Sequence, residues 1–400
     1  MKILQINTTL NWGSTGRIAE EIGLLIQDKG FESYIAYGRY NNPSKSKTYQ
    51  IGNKFDVYCH GLQTRIFDNH GLGSKNVTKK LVNYIKEIQP DIIHLHNIHG
   101  YYVNYKILFD FLSILDIPIV WTLHDCWSFT GHCSHFSYEN CERWKTICYN
   151  CPQQRNYPVS FIMDRSKQNY IDKKKAFTSI KKLTIVTVSK WLENEVKSSF
   201  LKNFPIKTIY NGINLETFKP TPSLDKNKEF NNKFVILGLA SVWTERKGFN
   251  DFKKLRSLLS TDYIIILIGL SKKQIKELPE GIIGIQRTNS IQELAEYYSL
   301  ANVFFNPTWE DNFPTTNLEA LACGTPVITY KTGGSIEAID EKTGFIVEQG
   351  DLNSTVEIIK FLKSEGKEKY KKSCRQRAIQ FYNKNERYEE YIELYNSIFK

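Results

Sequence analysis

The run from Asn306 to Ile328 holds the densest set of chemically useful side chains in the sequence. Asp311 and Glu319 stand eight positions apart, one in a polar loop after a β-rich stretch, the other in the first turns of a helical pattern opening near Thr315. Carboxylates accept from sugar hydroxyls, and the open N–H groups of a helix start suit phosphate oxygens. Glu310, Asn312, Phe313, Pro314 and Thr315 fill the same stretch and would complete a pocket for such a ligand. The spacing Thr316-x-x-Glu319 also reads as a capping box, in which the glutamate only bonds back to its own helix start. Upstream, Arg246 and Lys247 follow a buried-looking strand. A guanidinium fork and an ammonium point charge there would neutralise a diphosphate leaving group, although an exposed basic loop is the plainer alternative. Gln286 and Arg287 close another β-rich run and are the candidates for a loop facing a nucleotide base.

The first half carries its own candidates. Gly13 and Gly16 lie between a β-rich run and a helical stretch, where glycines either bring backbone close to a phosphate or simply turn the chain. His124 ends the run Ile119–Leu123, and open α/β sheets gather ligands outside the carboxyl ends of their strands. Its imidazole can hydrogen-bond a hydroxyl near neutral pH. Cys133, Cys141, Cys148 and Cys151 follow the spacing C-x7-C-x6-C-x2-C. Four thiolates so close in sequence can close a tetrahedral structural zinc site, with reduced or transiently oxidised thiols as the alternative. Cys59, Cys126, Cys323 and Cys374 read as ordinary buried residues.

These groups need elements to hold them, and the chain supplies β-rich runs alternating with helical patterns, the mark of α/β units with parallel sheets. One series fills residues 1–213 and a second starts afresh in 233–383. The Pro-, Lys- and Asn-rich tract 214–232 reads as a linker, and the stretch 125–164, without helix or strand period, as a cysteine-rich insertion in the first domain. An amphipathic helix over 384–400 is expected to pack back on that first domain. The length of 400 residues supports a sizeable core, and 41% hydrophobic with 24% charged residues excludes disordered, collagenous and membrane-embedded chains. No run approaches the roughly 18 apolar residues that cross a bilayer, and the N-terminus reads as a first strand, so a cytoplasmic protein is expected. The formal charge of +11 falls mostly in the first half, concentrated at Lys167, Lys173–Lys175, Lys181 and Lys182. Such a face suits an anionic membrane surface, a phosphorylated substrate or nucleic acid, or is merely solvated.

The ordered blocks Pro307–Glu319, Ala320–Cys323, Gly324-Thr325-Pro326-Val327, Gly333-Gly334 and Gly344-Phe345-Ile346-Val347 resemble the acidic-x7-acidic region of the retaining nucleotide-sugar glycosyltransferases of family GT4. Lys247-Gly248 resembles the family's diphosphate site, with Val242 at the place of its usual arginine and Arg246 as substitute. The resemblance extends to Val188-Ser189-Lys190-Trp191 and to Ile209–Asn214 with Phe218-Lys219-Pro220. It implies a GT-B fold, two Rossmann-like α/β domains facing across a cleft, with the donor held by the second. It further implies ribose contacts at Glu319, sugar contacts at Asp311 or Glu310, donor phosphates at Gly16, and an active-site role for His124, with His94, His96 and His99 supporting the acceptor pocket. The implied reaction moves a hexose-type sugar from a nucleotide diphosphate sugar, UDP in preference to GDP, to a glycan or lipid-linked oligosaccharide in capsule or exopolysaccharide assembly. No catalytic cofactor and no nucleic acid are implied, and peripheral contact with the inner membrane face is expected. The competing readings are another GT-B enzyme, such as an epimerase or phosphorylase, and a zinc-stapled nucleic-acid-binding protein.

Overall fold

The computed structural model describes residues 1–221, 230 and 233–399. The chain divides into two compact units, Met1–Tyr210 completed by the residues from Tyr388 onward, and Asn211–Arg387.

The first unit is built on β1 (Lys2–Asn7), β2 (Glu32–Tyr37), β3 (Lys47–Gln50), β4 (Ile92–Leu95), β5 (Ile119–Leu123), β6 (Leu183–Thr187) and β7 (Ile206–Thr208), in the order β3-β2-β1-β4-β5-β6-β7. Every pairing is parallel, for example Ile3 opposite both Ser33 and Ile92. Ile3, Ile92, Ile93, Val120 and Ile185 are buried, as the central strands of a sheet covered on both faces demand. The order reverses between β1 and β4, so the loops leaving these strands open a crevice at the carboxyl edge. The second unit repeats the plan with β8 (Phe234–Leu239), β9 (Tyr263–Ile268), β10 (Ile282–Ile285), β11 (Val303–Asn306), β12 (Val327–Tyr330) and β13 (Gly344–Val347), ordered β10-β9-β8-β11-β12-β13. Its reversal lies between β8 and β11.

The helix Lys384–Ile398 starts in the second unit and finishes in the first. Tyr388, Tyr391, Ile392, Leu394 and Tyr395 pack there with Ile3, Ile18, Ile22 and Val120. Tyr395 Oη bonds His94 Nδ1 at 2.6 Å, and Thr122 Oγ1 donates to Tyr391 Oη at 3.2 Å. The first four residues of that helix belong to the second unit, because Lys384 N donates to Ile213 O and Ile213 N donates to Tyr382 O at 2.7 Å. For the same reason the unit boundary falls at Tyr210, ahead of residue 213. The expected linker is packed at its start: Phe218 is buried, and Arg375 donates to the carbonyls of Leu215 and Phe218. The rest of that tract, 222–229 and 231–232, lies outside the described residues.

The cysteine-rich stretch holds three short 3-10 turns, Trp127–Phe129, Ser137–Glu139 and Arg143–Lys145, around an aromatic cluster of Phe129, Phe136 and Trp144. It is tied to the unit by two buried ionisable side chains. Lys173 donates to Trp127 O at 2.7 Å and to Thr130 O at 3.0 Å, with its ammonium 3.5 Å from the Trp127 ring centre. His132 Nδ1 bonds Asp68 Oδ1 at 2.6 Å. Lys173 is therefore no part of a lysine-rich surface, and the cationic face read from the sequence is interrupted where it sits.

Candidate active site

In the second unit the loops after β8 and β11, on either side of the strand-order reversal, are locked together. Trp309 N donates to Arg246 O at 2.8 Å. Gly248 makes the approach possible: its φ is +77°, and a Cβ there would stand 2.4 Å from Pro307 O. The loop after β12 closes on the same place, where a Cβ on Gly333, at φ +49°, would lie 1.9 Å from Asp311 O. Both positions need glycine because backbone meets backbone.

This packing sets four sequence candidates in two ion pairs. Lys247 Nζ donates to Asp311 Oδ2 at 2.5 Å, and Arg246 Nη1 stands 3.6 Å from Glu310 Oε1. The pairs differ in exposure. The Glu310 side chain is 1% exposed, whereas those of Lys247 and Asp311 keep 25% and 19%. Asp311 also accepts from Phe313 N at 3.3 Å through its other oxygen. The accessible acid of the two is thus Asp311, with an ammonium against it, and Glu310 serves as the buried counterion of Arg246.

The helix Thr315–Ala322 begins directly after this loop, with Pro314 at its N-cap and no side-chain capping bond. The capping-box reading of Glu319 fails on that register, because Thr316 lies inside the helix and cannot cap it. Glu319 is buried and accepts from the Tyr298 hydroxyl at 2.9 Å. Burial pushes the Tyr298 hydroxyl far above its ordinary range, which keeps it a donor to that carboxylate. Tyr298 was not visible as a site residue, since at its position in the helix Ile291–Leu300 an aromatic reads as core. Asn312, Phe313 and Pro314 bury their side chains, Phe313 lying against the Tyr382 ring, and Thr315 is half-buried. Gln286 and Arg287 are exposed just past the end of the edge strand β10.

In the first unit, Gly13 and Gly16 open the helix Gly13–Asp28, whose N-cap Trp12 offers no side-chain capping bond. Asn11 N donates to Gly16 O at 3.1 Å and folds the loop over this helix start. His124 lies past the end of β5, with Nε2 at 3.2 Å from His96 Nδ1, and His96 Nε2 in turn bonds Gln5 Oε1 at 2.9 Å. Desolvation pulls the His124 imidazole down to about 4 against the opposing charge of Asp125, so it is neutral near pH 7. Beside it, His99 Nε2 and Asp125 Oδ2 are 2.7 Å apart. Burial raises the Asp125 carboxyl, but His99 outweighs it and holds that group at about 2.

The four clustered cysteines lie near one another, and two of them are in contact. Cys133 and Cys151 hydrogen-bond thiol to thiol, which lowers Cys151 to about 7 and raises Cys133. Cys148 Sγ accepts from Gly131 N at 3.2 Å, and burial pushes its thiol up to about 12. Cys141 is half-buried. Among the described residues no group of three or more His, Cys, Asp or Glu side chains is arranged as a metal site. Cys59 differs from the expectation of a buried residue: it is half-buried and lines a surface groove.

Residues 15–217 match Glycosyltransferase Family 4, and residues 221–381 match Glycosyl transferases group 1. The chain is 25% identical over 377 residues to the putative colanic acid biosynthesis glycosyl transferase WcaC of Escherichia coli, spanning 90% of each chain. It is 26% identical to the capsular polysaccharide biosynthesis glycosyltransferase CapM of Staphylococcus aureus, over 54% of this chain and 62% of that one. Among solved structures, the sucrose-phosphate synthase of Thermosynechococcus elongatus superposes with a TM-score of 0.73 at 16% identity, covering 100% of this chain and 99% of that one. Anabaena HepE, in complex with UDP, superposes at 0.70 and 16%, covering 99% and 100%. Two parallel-sheet units of the GT-B type and a Family 4 match across half the chain agree, and the protein is a glycosyltransferase belonging to Family 4.

Proposed function

We propose that the enzyme is a retaining hexosyltransferase that takes its sugar from a nucleotide diphosphate donor, UDP in preference to GDP, and passes it to a glycan or lipid-linked oligosaccharide in surface polysaccharide synthesis. The observation that carries the reading is the accessible Lys247–Asp311 pair, set beside the helix that bears Glu319 at the strand-order reversal of the second unit. A cation and an acid in contact there suit the two halves of one donor. Lys247, with Arg246 behind it, meets the diphosphate, and Asp311 accepts from sugar hydroxyls. Glu319, steadied by Tyr298, takes the ribose hydroxyls. Support also comes from HepE, whose solved structures hold UDP and UDP-glucose, and from the names of WcaC and CapM.

In this reading the bond from the anomeric carbon to the diphosphate oxygen breaks while the acceptor oxygen attacks from the same face. The acceptor's proton leaves on a phosphate oxygen of the departing nucleotide, and the charge that develops is met by Lys247 and Arg246. The first unit contributes the helix start at Gly13 and Gly16 for donor phosphates and a neutral His124 as hydrogen-bond partner of the sugar. The base side falls to Gln286 and Arg287. Catalysis on this scheme calls for no cofactor, and work on a lipid-linked acceptor would hold the enzyme peripherally at an anionic membrane face.

A thermal-shift panel of UDP, GDP, ADP and their sugars, run on the wild type and Glu319→Ala, tests the donor site. Ligand at a hundred times its dissociation constant stabilises the folded state by about 2.7 kcal/mol. One nucleotide, expected to be UDP, should raise the melting temperature of the wild type and not of the variant. A flat response to every nucleotide would overturn the reading.

A further inference from the structure

The helix Lys54–Phe67 turns an apolar side to solvent. Phe55, Tyr58 and Leu62, at helical spacing, are 72%, 69% and 46% exposed. Next to its last turn runs Phe161-Ile162-Met163, three consecutive apolar residues that are all exposed. Phe161 N donates to Arg65 O at 2.8 Å and Met163 N to Ile66 O at 3.2 Å, so the segment is fixed to the helix by backbone bonds. A folded soluble surface rarely displays so many large apolar side chains together unless something covers them.

The charges around the patch say what that is. Lys54, Arg65 and Lys167 are exposed within or next to these two segments. A groove of about 970 Å³ along the same helix is edged by Lys75, Lys79, Lys106 and Arg165. The acids of these segments are engaged locally. Asp56 closes the capping box at Asn53, and Asp68 is buried against His132. Asp164 accepts from Cys151 N and Ser166 N, and beyond the segments Asp172 pairs with Lys106. The seven cations named here outnumber these four acids, so the field over the patch is net positive. A second copy of the chain docked symmetrically would set these cations against themselves. A bilayer rich in anionic headgroups meets both features, taking the apolar side chains into its interface and the lysines and arginines onto its phosphates.

We propose that the helix Lys54–Phe67 together with Phe161-Ile162-Met163 is the surface by which the enzyme seats on an anionic membrane. The proposal deepens the membrane contact in the proposed function and rests on it, but it involves none of the residues assigned to the donor.

The test is co-sedimentation of the full chain with vesicles of phosphatidylcholine alone or mixed with phosphatidylglycerol. The wild type should pellet with the mixed vesicles and not with the neutral ones. Leu62→Ser/Ile162→Ser should weaken that partition about tenfold or more, since two apolar side chains no longer enter the interface. Lys54→Glu/Arg65→Glu should weaken it too. Ile114→Ser, which removes an equally exposed apolar side chain elsewhere on the unit, should pellet like the wild type. All variants should keep the melting temperature and nucleotide response of the wild type. Patch variants that pellet like the wild type would overturn this surface while leaving the membrane reading standing. A wild type that ignores both vesicles would overturn both. Patch variants that dissolve a dimer in sedimentation velocity without changing vesicle binding would assign the face to a second copy instead.

Discussion

Two adjacent cations, Arg246 and Lys247, sit in one short turn yet have different neighbours, and their removal should have different consequences. Lys247 keeps a partly open side chain on Asp311, so a donor phosphate can take over its ammonium without stranding a buried charge. Lys247→Ala should therefore leave the fold intact and lower kcat by about 10²–10³-fold, the usual effect of deleting one stabiliser of developing negative charge. Arg246 faces Glu310, whose carboxylate is buried. Arg246→Ala leaves that carboxylate without its counterion. Breaking a buried pair costs about 3–5 kcal/mol, and the part-exposed arginine brings the expectation here to about 2 kcal/mol. Urea melts and steady-state rates on both variants check this; an Arg246→Ala enzyme as stable as the wild type would mean Glu310 does not depend on it. Residue types and spacing drew attention to Asp311, Glu319 and Lys247, but it was the resemblance to Family 4 that favoured donor roles for them over a capping box and an exposed basic loop. Spacing could not reveal that Glu310 turns inward and Asp311 outward, since that depends on the Gly248 and Gly333 contacts made from other loops.

Strands buried on both faces announce themselves as β-branched runs, which is why Ile119–Leu123 was legible with its bounds. Strand β3, Lys47-Thr48-Tyr49-Gln50, is a largely exposed edge strand, carries no such run and was missed. The helix opening near Thr315 was legible, but the rival capping-box reading of Thr316-x-x-Glu319 was not open to decision from sequence: such a pattern fits a capping box wherever it falls, and only the register of the chain decides. Lys173 shows the same limit in a charged residue. Three consecutive lysines read as a solvated face, but the helix Ser166–Phe177 turns the first of them into the unit, under the cysteine-rich stretch. Desolvation brings its ammonium down to about 7 from an ordinary value near 10.5. Between those two values the unfolded chain holds a proton that the folded chain has released, so stability gains with rising pH in that window. The slope approaches about 1.4 kcal/mol per pH unit at its steepest. Lys173→Met should remove this contribution, so the stability difference between wild type and variant, from denaturant melts, should shift toward the wild type from pH 7 to pH 10. A difference constant across that range would mean that Lys173 stays charged when folded, held so by the carbonyls of Trp127 and Thr130.

At the scale of the whole chain, the two units are unequal in their independence. The second unit is continuous in sequence, Asn211–Arg387, whereas the first is closed only by residues that follow the second. The helix ending at Ile398 puts Tyr388, Tyr391, Ile392, Leu394 and Tyr395 into a core shared with Ile3, Ile22 and Val120, and its Tyr395 hydroxyl satisfies buried His94. Burying a large apolar side chain is worth about 1.5–3 kcal/mol, so losing these five removes roughly 8–15 kcal/mol. That is as large as the whole stability of an ordinary domain, about 5–15 kcal/mol. A chain ending at Arg387 should therefore keep a folded, nucleotide-responsive second unit beside a first unit that no longer packs. Limited proteolysis should digest residues 1–210 and spare a fragment close to 211–387, and UDP should still protect that fragment. If residues 1–210 instead resist the protease as they do in the full chain, the seven-stranded sheet closes its own core and the last helix is dispensable to it. The arrangement also bears on synthesis, because the first unit to emerge cannot complete its core until the last residues are made. Refolding followed by probes in each unit should accordingly show the second unit acquiring structure no later than the first.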